Sequence, residues 1–514
     1  MSVFKAAFNI SFFTLISRIT GFIRDIIIAY KLGAGPVSDI LFIALKIPNF
    51  FRRTFAEGAF SQSFVPTYAK IMVGQNFSEA NKFANHIFFF FIIILTCLII
   101  IFEVFMPNIL MVFAPGFSDV PEKFQQTIDL CRVTFPYIIF ISIVSLINGV
   151  LNSYKIFIPG SIMPIIYNFM LIISLYIFYD LTYNHAYSIA YGLLLTGVIQ
   201  VISIYLIALR KNIKLLPKFD PSLKKESKKF LFILLPAILA ASIIQLNSMA
   251  DTIIATLIPN AVSYLYYSDR LIQLPLSLLG IALSTAMLPT MSQEIKKNNF
   301  REAQNIMNKA INIGLFFALP AMIGLFLLCE EIVFTLFTRG EFNEVTAYAT
   351  ANLIQIYSIA IPAFILIKIL MTEFYARRNM KTPIKISFFI LLLNISLNLI
   401  LIKFYSFLGI AIATVISSWL NVLFLLILII KKDYNSFKKF NFSILLKILL
   451  NSICLILLIL IAKQYIADFI RFDFSKKIFY LTIIISSSGL IYLFLALLTK
   501  IFVLKDLVKT SNQA

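Results

Sequence analysis

Residues 87–101 read IFFFFIIILTCLIII, and residues 444–462 read ILLKILLNSICLILLILIA. Each run carries almost no charge. Each is close to the roughly 20 residues that a helix needs to cross a hydrocarbon core. A membrane-spanning β-barrel would instead show short segments of alternating polarity. The rest of the chain follows suit: of 514 residues, 60% are hydrophobic and 13% charged, with a mean hydropathy of +0.93, too little polar surface for a soluble domain. The fold class expected is an all-α integral membrane protein.

Apolar runs between polar breaks give fourteen spans: 6–30, 37–58, 84–105, 133–151, 160–179, 187–209, 230–256, 262–290, 307–329, 348–375, 385–403, 408–430, 444–463 and 478–500. The chain carries 44 Lys and Arg against 24 Asp and Glu. The basic residues gather in short loops after even-numbered spans. The first such linker holds Arg210, Lys211, Lys214, Lys218, Lys224, Lys225, Lys228 and Lys229; others hold Lys296, Lys297 and Arg301, then Arg377, Arg378 and Lys381, then Lys431, Lys432, Lys438 and Lys439. Loops after odd-numbered spans are acidic or nearly neutral, as with Glu330, Glu331, Glu341 and Glu344. The positive-inside rule then places both termini in the cytoplasm, which needs an even span count. The basic excess reflects topology and anionic membrane lipid, and no nucleic-acid module is visible. The four cysteines and two histidines show no metal-ligand or redox spacing.

A motif repeats without a gap. Ser61, Pro66, Thr67, Phe77, Glu79, Ala80 and Asn85 recur as Ser284, Pro289, Thr290, Phe300, Glu302, Ala303 and Asn308, and Asn76 matches Asn299. The repeats are six spans apart, so they share an orientation, as in transporters whose substrate site lies at the repeat interface near the membrane midplane. The organisation expected is an N-terminal lobe over 1–229 that includes the basic linker 210–229, a C-terminal lobe over 230–440, and two extra helices with a tail over 441–514.

Charged residues inside spans are costly and mark cavities or paths. The first span carries Ser17, Arg18, Arg24 and Asp25. Arg18 shares a helical face with Asp25, and Ser17 with Arg24. The second carries Asp39, Lys46, Arg52, Arg53 and Glu57. Arg53 and Glu57 can pair along the helix, whereas Arg52 has no obvious local partner and is the better ligand candidate. In the eighth span Asp269 and Arg270 follow an aromatic run at Tyr264, Tyr266 and Tyr267. Arginines grouped in a cavity suit phosphate, because guanidinium offers a fixed fork of donors that is always charged. A lipid-linked diphosphate needs such a site; a cation or neutral-drug exporter does not. A membrane enzyme acting on polyprenyl phosphates would need acidic metal motifs or a sizeable loop domain, and the loops are short.

The run Pro48-Asn49-Phe50-Phe51-Arg52-Arg53, continuing through Phe55-Ala56-Glu57-Gly58-Ala59-Phe60-Ser61-Gln62 and Phe64-Val65-Pro66, resembles the signature of the MurJ/MviN family. So do Ser17-Arg18 through Arg24-Asp25, and Tyr266-Tyr267-Ser268-Asp269-Arg270-Leu271. The resemblance covers essentially the whole chain. It implies the fold of the multidrug/oligosaccharidyl-lipid/polysaccharide exporter superfamily with two added C-terminal helices, and transport of lipid II, the lipid-linked peptidoglycan precursor, by alternating access. It implies that Arg18, Arg24, Arg52 and Arg270 bind substrate, with Asp25, Asp39, Arg53, Glu57 and Asp269 as supporting cavity charges. Some family members bind sodium at positions matching Asp251, Asn394, Asn398 and Thr414, although this chain has an amide at Asn398 where a second carboxylate can occur; interhelical hydrogen bonding is the other reading of these residues. No other cofactor is expected. Alternatives are a flippase for another polyprenyl-diphosphate oligosaccharide, of O-antigen or capsule type, and a drug/cation antiporter. Expected partners are the glycolipid, membrane lipids and other cell-wall synthesis proteins, in the bacterial inner membrane.

Overall fold

A computed structural model describes residues 3–54, 60–74, 77–182, 184–431, 442–466 and 468–501. Glu57, Asn76, Lys432, Lys438 and Lys439 lie outside these residues, and with Glu57 goes the expected Arg53–Glu57 pair. The described residues fold into helices joined by short turns: α1 (Val3–Leu32), α2 (Pro36–Phe51), α3 (Ser61–Gly74), α4 (Phe77–Phe113), α5 (Pro121–Thr134), α6 (Tyr137–Ser153), α7 (Ile158–Ile177), α8 (His185–Arg210), α9 (Lys224–Ala255), α10 (Ala261–Pro275), α11 (Ile281–Lys296), α12 (Phe300–Leu327), α13 (Cys329–Leu336), α14 (Glu344–Ser358), α15 (Ile361–Ala376), α16 (Lys381–Tyr405), α17 (Leu408–Lys431), α18 (Phe442–Gln464) and α19 (Phe474–Leu498). Among the described residues, nine spans are long and apolar enough to cross a membrane, and a tenth follows if the bent pair α14–α15 is one span. Two compact units hold the chain: Met1–Ser263 with Arg339–Phe342, and Tyr264–Thr338 with Asn343–Ala514.

The internal repeat extends far beyond its motif. α1 and α9 end at Leu32 and Ala255; α4 and α12 begin at Phe77 and Phe300; α6 and α15 end at Ser153 and Ala376; α7 and α16 begin at Ile158 and Lys381; α8 and α17 begin at His185 and Leu408, each pair 223 residues apart. Even the irregularities keep this register. α4 kinks at Phe105 (φ −98°, ψ 15°), and α12 stops at Leu328 (φ −110°, ψ 19°), again 223 residues on. A wide i→i+5 turn at 52–54 is answered by one at Leu276–Gly280. Such turns relieve a helix that cannot keep its regular ladder.

Several expected spans are broken rather than straight, and proline is the cause. The expected fourth span corresponds to α6, with α5 preceding it across Pro136, and the eighth divides into α10, the wide turn and α11 after Pro275. The tenth bends by 43° between α14 and α15, just before Pro362. A proline inside a helix leaves the carbonyl four residues earlier without its donor, and in lipid that carbonyl needs another partner. Ala44, four before Pro48, accepts from the Thr134 hydroxyl of α5 at 2.8 Å. Phe316, four before Pro320, accepts from the Tyr492 hydroxyl of α19 at 2.9 Å. Where α12 ends, the Leu327 carbonyl accepts from Lys463 Nζ of α18 at 2.8 Å, and Lys463 also pairs with Glu331 at 2.9 Å. The carbonyls freed at Pro48 and Pro320, and at the end of α12, thus become points where a second helix docks. Through the last two contacts α18 and α19 join the second unit.

The linker after α8 is strapped to the third turn of α4. Leu216 N–H donates to Asn85 Oδ1 (2.9 Å), Lys218 N–H to the Asn85 carbonyl (3.2 Å), and Asp220 N–H to His86 Nδ1 (2.9 Å). Ile213 and Leu215 are buried beneath it, while Lys211, Lys214 and Lys218 point outward. Hydrogen bonds from Ser222 hold the Asp220 carboxyl below its usual range.

Candidate functional site

The polar stretch of α1 packs against α7 in the first unit. Arg24 is buried, as is Asp25. Its Nε and Nη2 donate to Asp25 Oδ1 at 3.0 and 2.6 Å, its Nη1 donates to Asn168 Oδ1 at 2.9 Å, and its guanidinium lies 5.5 Å from the centre of the Tyr167 ring. Adjacent residues on a helix rarely face each other; the length of arginine lets Arg24 curl back to its neighbour. Asn168 in turn donates to the Ser17 carbonyl (2.8 Å) and to Thr20 Oγ1 (3.2 Å). Arg18, one and a half turns before Arg24, is partly exposed.

On α2, Asp39 sits in the first turn with no exposed surface. It accepts from Lys123 Nζ (2.9 Å), Asn260 N–H (3.1 Å), Ser263 N–H (2.9 Å) and Ser263 Oγ (2.5 Å). Lys123 itself lies 3.9 Å from the centre of the Phe117 ring. Asp39 therefore ties α2 to α5 and to the start of α10. Lys46 donates to Ser248 Oγ of α9 at 3.1 Å. Arg52 does have a local partner, contrary to expectation: its Nε donates to Asn49 Oδ1, three residues back, at 3.0 Å. The side chain of Arg52 is held partly exposed, and that of Arg53 is exposed. Asp251 is partly exposed on α9.

In the second unit Arg270 is braced by one tyrosine. Its Nη2 donates to the Tyr266 hydroxyl at 2.9 Å, and its guanidinium stands 4.5 Å from that ring's centre. Tyr267 is buried against Phe337. Asp269 is exposed and accepts from Gln273. Asn394, Asn398 and Thr414 come together between α16 and α17, all buried. Asn398 Nδ2 donates to Asn394 Oδ1 (3.0 Å), and Asn394 Nδ2 donates to Ser417 Oγ (3.1 Å) and Thr414 Oγ1 (3.5 Å).

Sequence reading missed Asn168, Tyr167, Lys123 and Ser417. The signal for Asn168 was present, since an amide in the otherwise apolar α7 calls for a partner. Lys123 lay in a stretch assigned to a loop, where a lysine attracts no notice.

A family model described as "Lipid II flippase MurJ" matches residues 28–485. The chain belongs to this family. A probable lipid II flippase MurJ of Rickettsia prowazekii (strain Madrid E) is 37% identical over 423 residues, covering 82% of this chain and 83% of the relative. One of Buchnera aphidicola subsp. Acyrthosiphon pisum (strain APS) is 32% identical across 99% of this chain and 100% of its own length. Among solved structures, a lipid II flippase MurJ in an inward closed conformation superposes with a TM-score of 0.80 at 28% identity, covering 97% of this chain and 99% of that one. An inward-facing multidrug transporter of the MATE family reaches a TM-score of 0.69 at 15% identity, with 83% and 96% covered, which extends the likeness of fold beyond the MurJ family.

Proposed function

We propose that this protein flips lipid II from the cytoplasmic to the outer leaflet of the bacterial inner membrane, by alternating access, and is a transporter rather than an enzyme. The single observation that carries the reading is the arginine set within apolar helices, in a chain of the MurJ family. Arg24 is fixed in a buried network, Arg52 is braced by Asn49, and Arg270 is braced by Tyr266. Arginines held in place on apolar helices are suited to a diphosphate, because the ordering of the fork precedes binding. Arg18 joins them in the proposed substrate set, with Asp25, Asp39, Arg53, Glu57 and Asp269 as supporting charges. The head group enters from the cytoplasm while the polyprenyl tail stays in lipid, and no covalent step is needed. An O-antigen or capsule flippase would require the same diphosphate site, but the family match favours lipid II. Cavity arginines argue against a drug/cation antiporter.

The finer picture has fourteen spans, both termini in the cytoplasm, and lobes over 1–229 and 230–440 followed by two added helices. Sodium is the proposed ion for Asp251 with Asn394, Asn398 and Thr414, as a hard cation suited to oxygen ligands. Binding in only one conformation would bias the return of the empty carrier. Transport indifferent to sodium in both the native protein and Asp251→Asn would remove this part. Other cell-wall synthesis proteins are the proposed protein partners. The test of the main reading is reconstitution: purified protein in proteoliposomes should translocate lipid II faster than an unrelated polyprenyl-linked glycan. Equal rates for both would point to the broader oligosaccharide flippase.

A further inference from the structure

We propose that Asn168 is the positioning residue for Arg24, holding its guanidinium toward the substrate diphosphate without cancelling its charge; this rests on the assignment of Arg24 to the substrate. Asn168 is 5% exposed in the middle of α7. Its amide is used at both ends: Oδ1 accepts from Arg24 Nη1, and Nδ2 donates to the Ser17 carbonyl and Thr20 Oγ1. The chemistry fixes which end is which. Arginine can only donate and a backbone carbonyl can only accept, so the amide has one consistent orientation. The side chain therefore spans from the backbone of α1 at Ser17 to a guanidinium two turns further along the same helix. Such a brace sets the position of Arg24 relative to its own helix.

α1 is shaped to receive it. A Cβ at Gly21 would lie 3.2 Å from Asn168 Nδ2, closer than ordinary packing, so glycine leaves the space that the amide fills. Asp25 and Asn168 divide the work on Arg24. Asp25 takes the edge formed by Nε and Nη2 and supplies the countercharge; Asn168 takes Nη1 with a neutral oxygen. A second carboxylate at position 168 would make the cluster net negative and repel a diphosphate.

The repeat supplies an internal comparison. Positions 223 residues after Arg24, Asp25, Tyr167 and Asn168 hold Asn247, Ser248, Ile390 and Leu391. Where the second copy has no arginine, it also lacks the carboxylate, the ring and the amide. The second copy therefore holds no counterpart of the Arg24 cluster, which belongs to the first copy alone.

The experiment is a double-mutant cycle in lipid II affinity, with full-length protein in nanodiscs. It uses the native chain, Arg24→Gln, Asn168→Leu and the double variant, with melting temperature measured on each. Asn168→Leu should weaken binding by about tenfold, the scale of one hydrogen bond to a charged group. In the Arg24→Gln background the same change should have almost no further effect. Equal weakening in both backgrounds would mean that Asn168 acts on its own, and the positioning role would fall while Arg24 remained a ligand. If Arg24→Gln binds as well as the native protein, the assignment of Arg24 fails and takes this inference with it. Asn168→Ser guards against misfolding of the leucine variant, because it is small and polar and buries no new charge. Its hydroxyl is too short to span from the Ser17 carbonyl to Arg24 Nη1, so it should bind lipid II about as poorly as Asn168→Leu, and native affinity in a folded Asn168→Ser protein would overturn the proposal.

Discussion

Replacing Asp39 by asparagine changes no volume and tests the hub at the start of α2. One carboxylate oxygen accepts from Ser263 N–H and Ser263 Oγ, the other from Lys123 Nζ and Asn260 N–H. An amide has one acceptor oxygen. Turned toward Ser263, it presents its NH2 group to an ammonium and a backbone N–H, neither of which can accept. Lys123 has 14% of its side chain exposed, so it is left charged and largely desolvated. Breaking a buried pair from one side costs about 3–5 kcal/mol, and partial access of Lys123 to water places this case near the lower end, about 3 kcal/mol. The assay is thermal unfolding of the detergent-purified protein for Asp39→Asn, Lys123→Met and the double variant. The single variants should both melt well below the native protein, and the double variant should be less destabilised than the sum of the two, since it leaves no orphaned charge. A native melting temperature for Asp39→Asn, or strict additivity in the cycle, would refute the reasoning.

Three further outcomes follow from particular contacts. Tyr492→Phe removes the donor that replaces Pro320 at the Phe316 carbonyl, and should destabilise the protein by about 0.6–2 kcal/mol in a reversible unfolding assay, the range of interhelical hydrogen bonds in membranes. Asn85→Ala removes one of the three backbone anchors of the 211–220 strap, about 1 kcal/mol, so trypsin should cut at Lys211, Lys214 or Lys218 roughly five times faster; unchanged cleavage would mean that the anchors do not hold the strap. Single cysteines placed in 211–229 and in 339–345 should react with an impermeant thiol reagent from opposite sides of the membrane, and labelling of both from outside would contradict the span count.

The class of fold was legible because the apolar runs are long and lipid imposes helices on them. The repeat was visible only at Ser61–Asn85 and Ser284–Asn308, since most other equivalent positions carry different side chains, such as Arg24 and Asn247, and the identities that remain, such as Pro36 and Pro259, are scattered. What the halves retain is the placement of helix ends and breaks, which backbone geometry reveals and side-chain identity conceals. The helix-to-helix hydrogen bonds were hidden for a related reason: Pro48 and Pro320 announce a fault in the ladder, but not whether Thr134 or Tyr492 will mend it. In the candidate site, charge inside a span pointed to Arg18, Arg24, Arg52 and Arg270. Asp25, which holds one edge of Arg24, was visible by its charge; the other groups that hold Arg24, Arg52 and Arg270, namely Asn168, Asn49 and Tyr266, are neutral and come from a different helix or an earlier turn, so no charge pattern could single them out.

The measurement that bears most directly on the central claim is the initial rate of lipid II translocation in proteoliposomes containing equal amounts of native, Arg24→Ala or Arg52→Ala protein. The account predicts rapid translocation by the native chain and near-background rates for both variants, with lysine at position 52 restoring only part of the rate because an ammonium keeps the charge and loses the fork. Native rates in both alanine variants would contradict it.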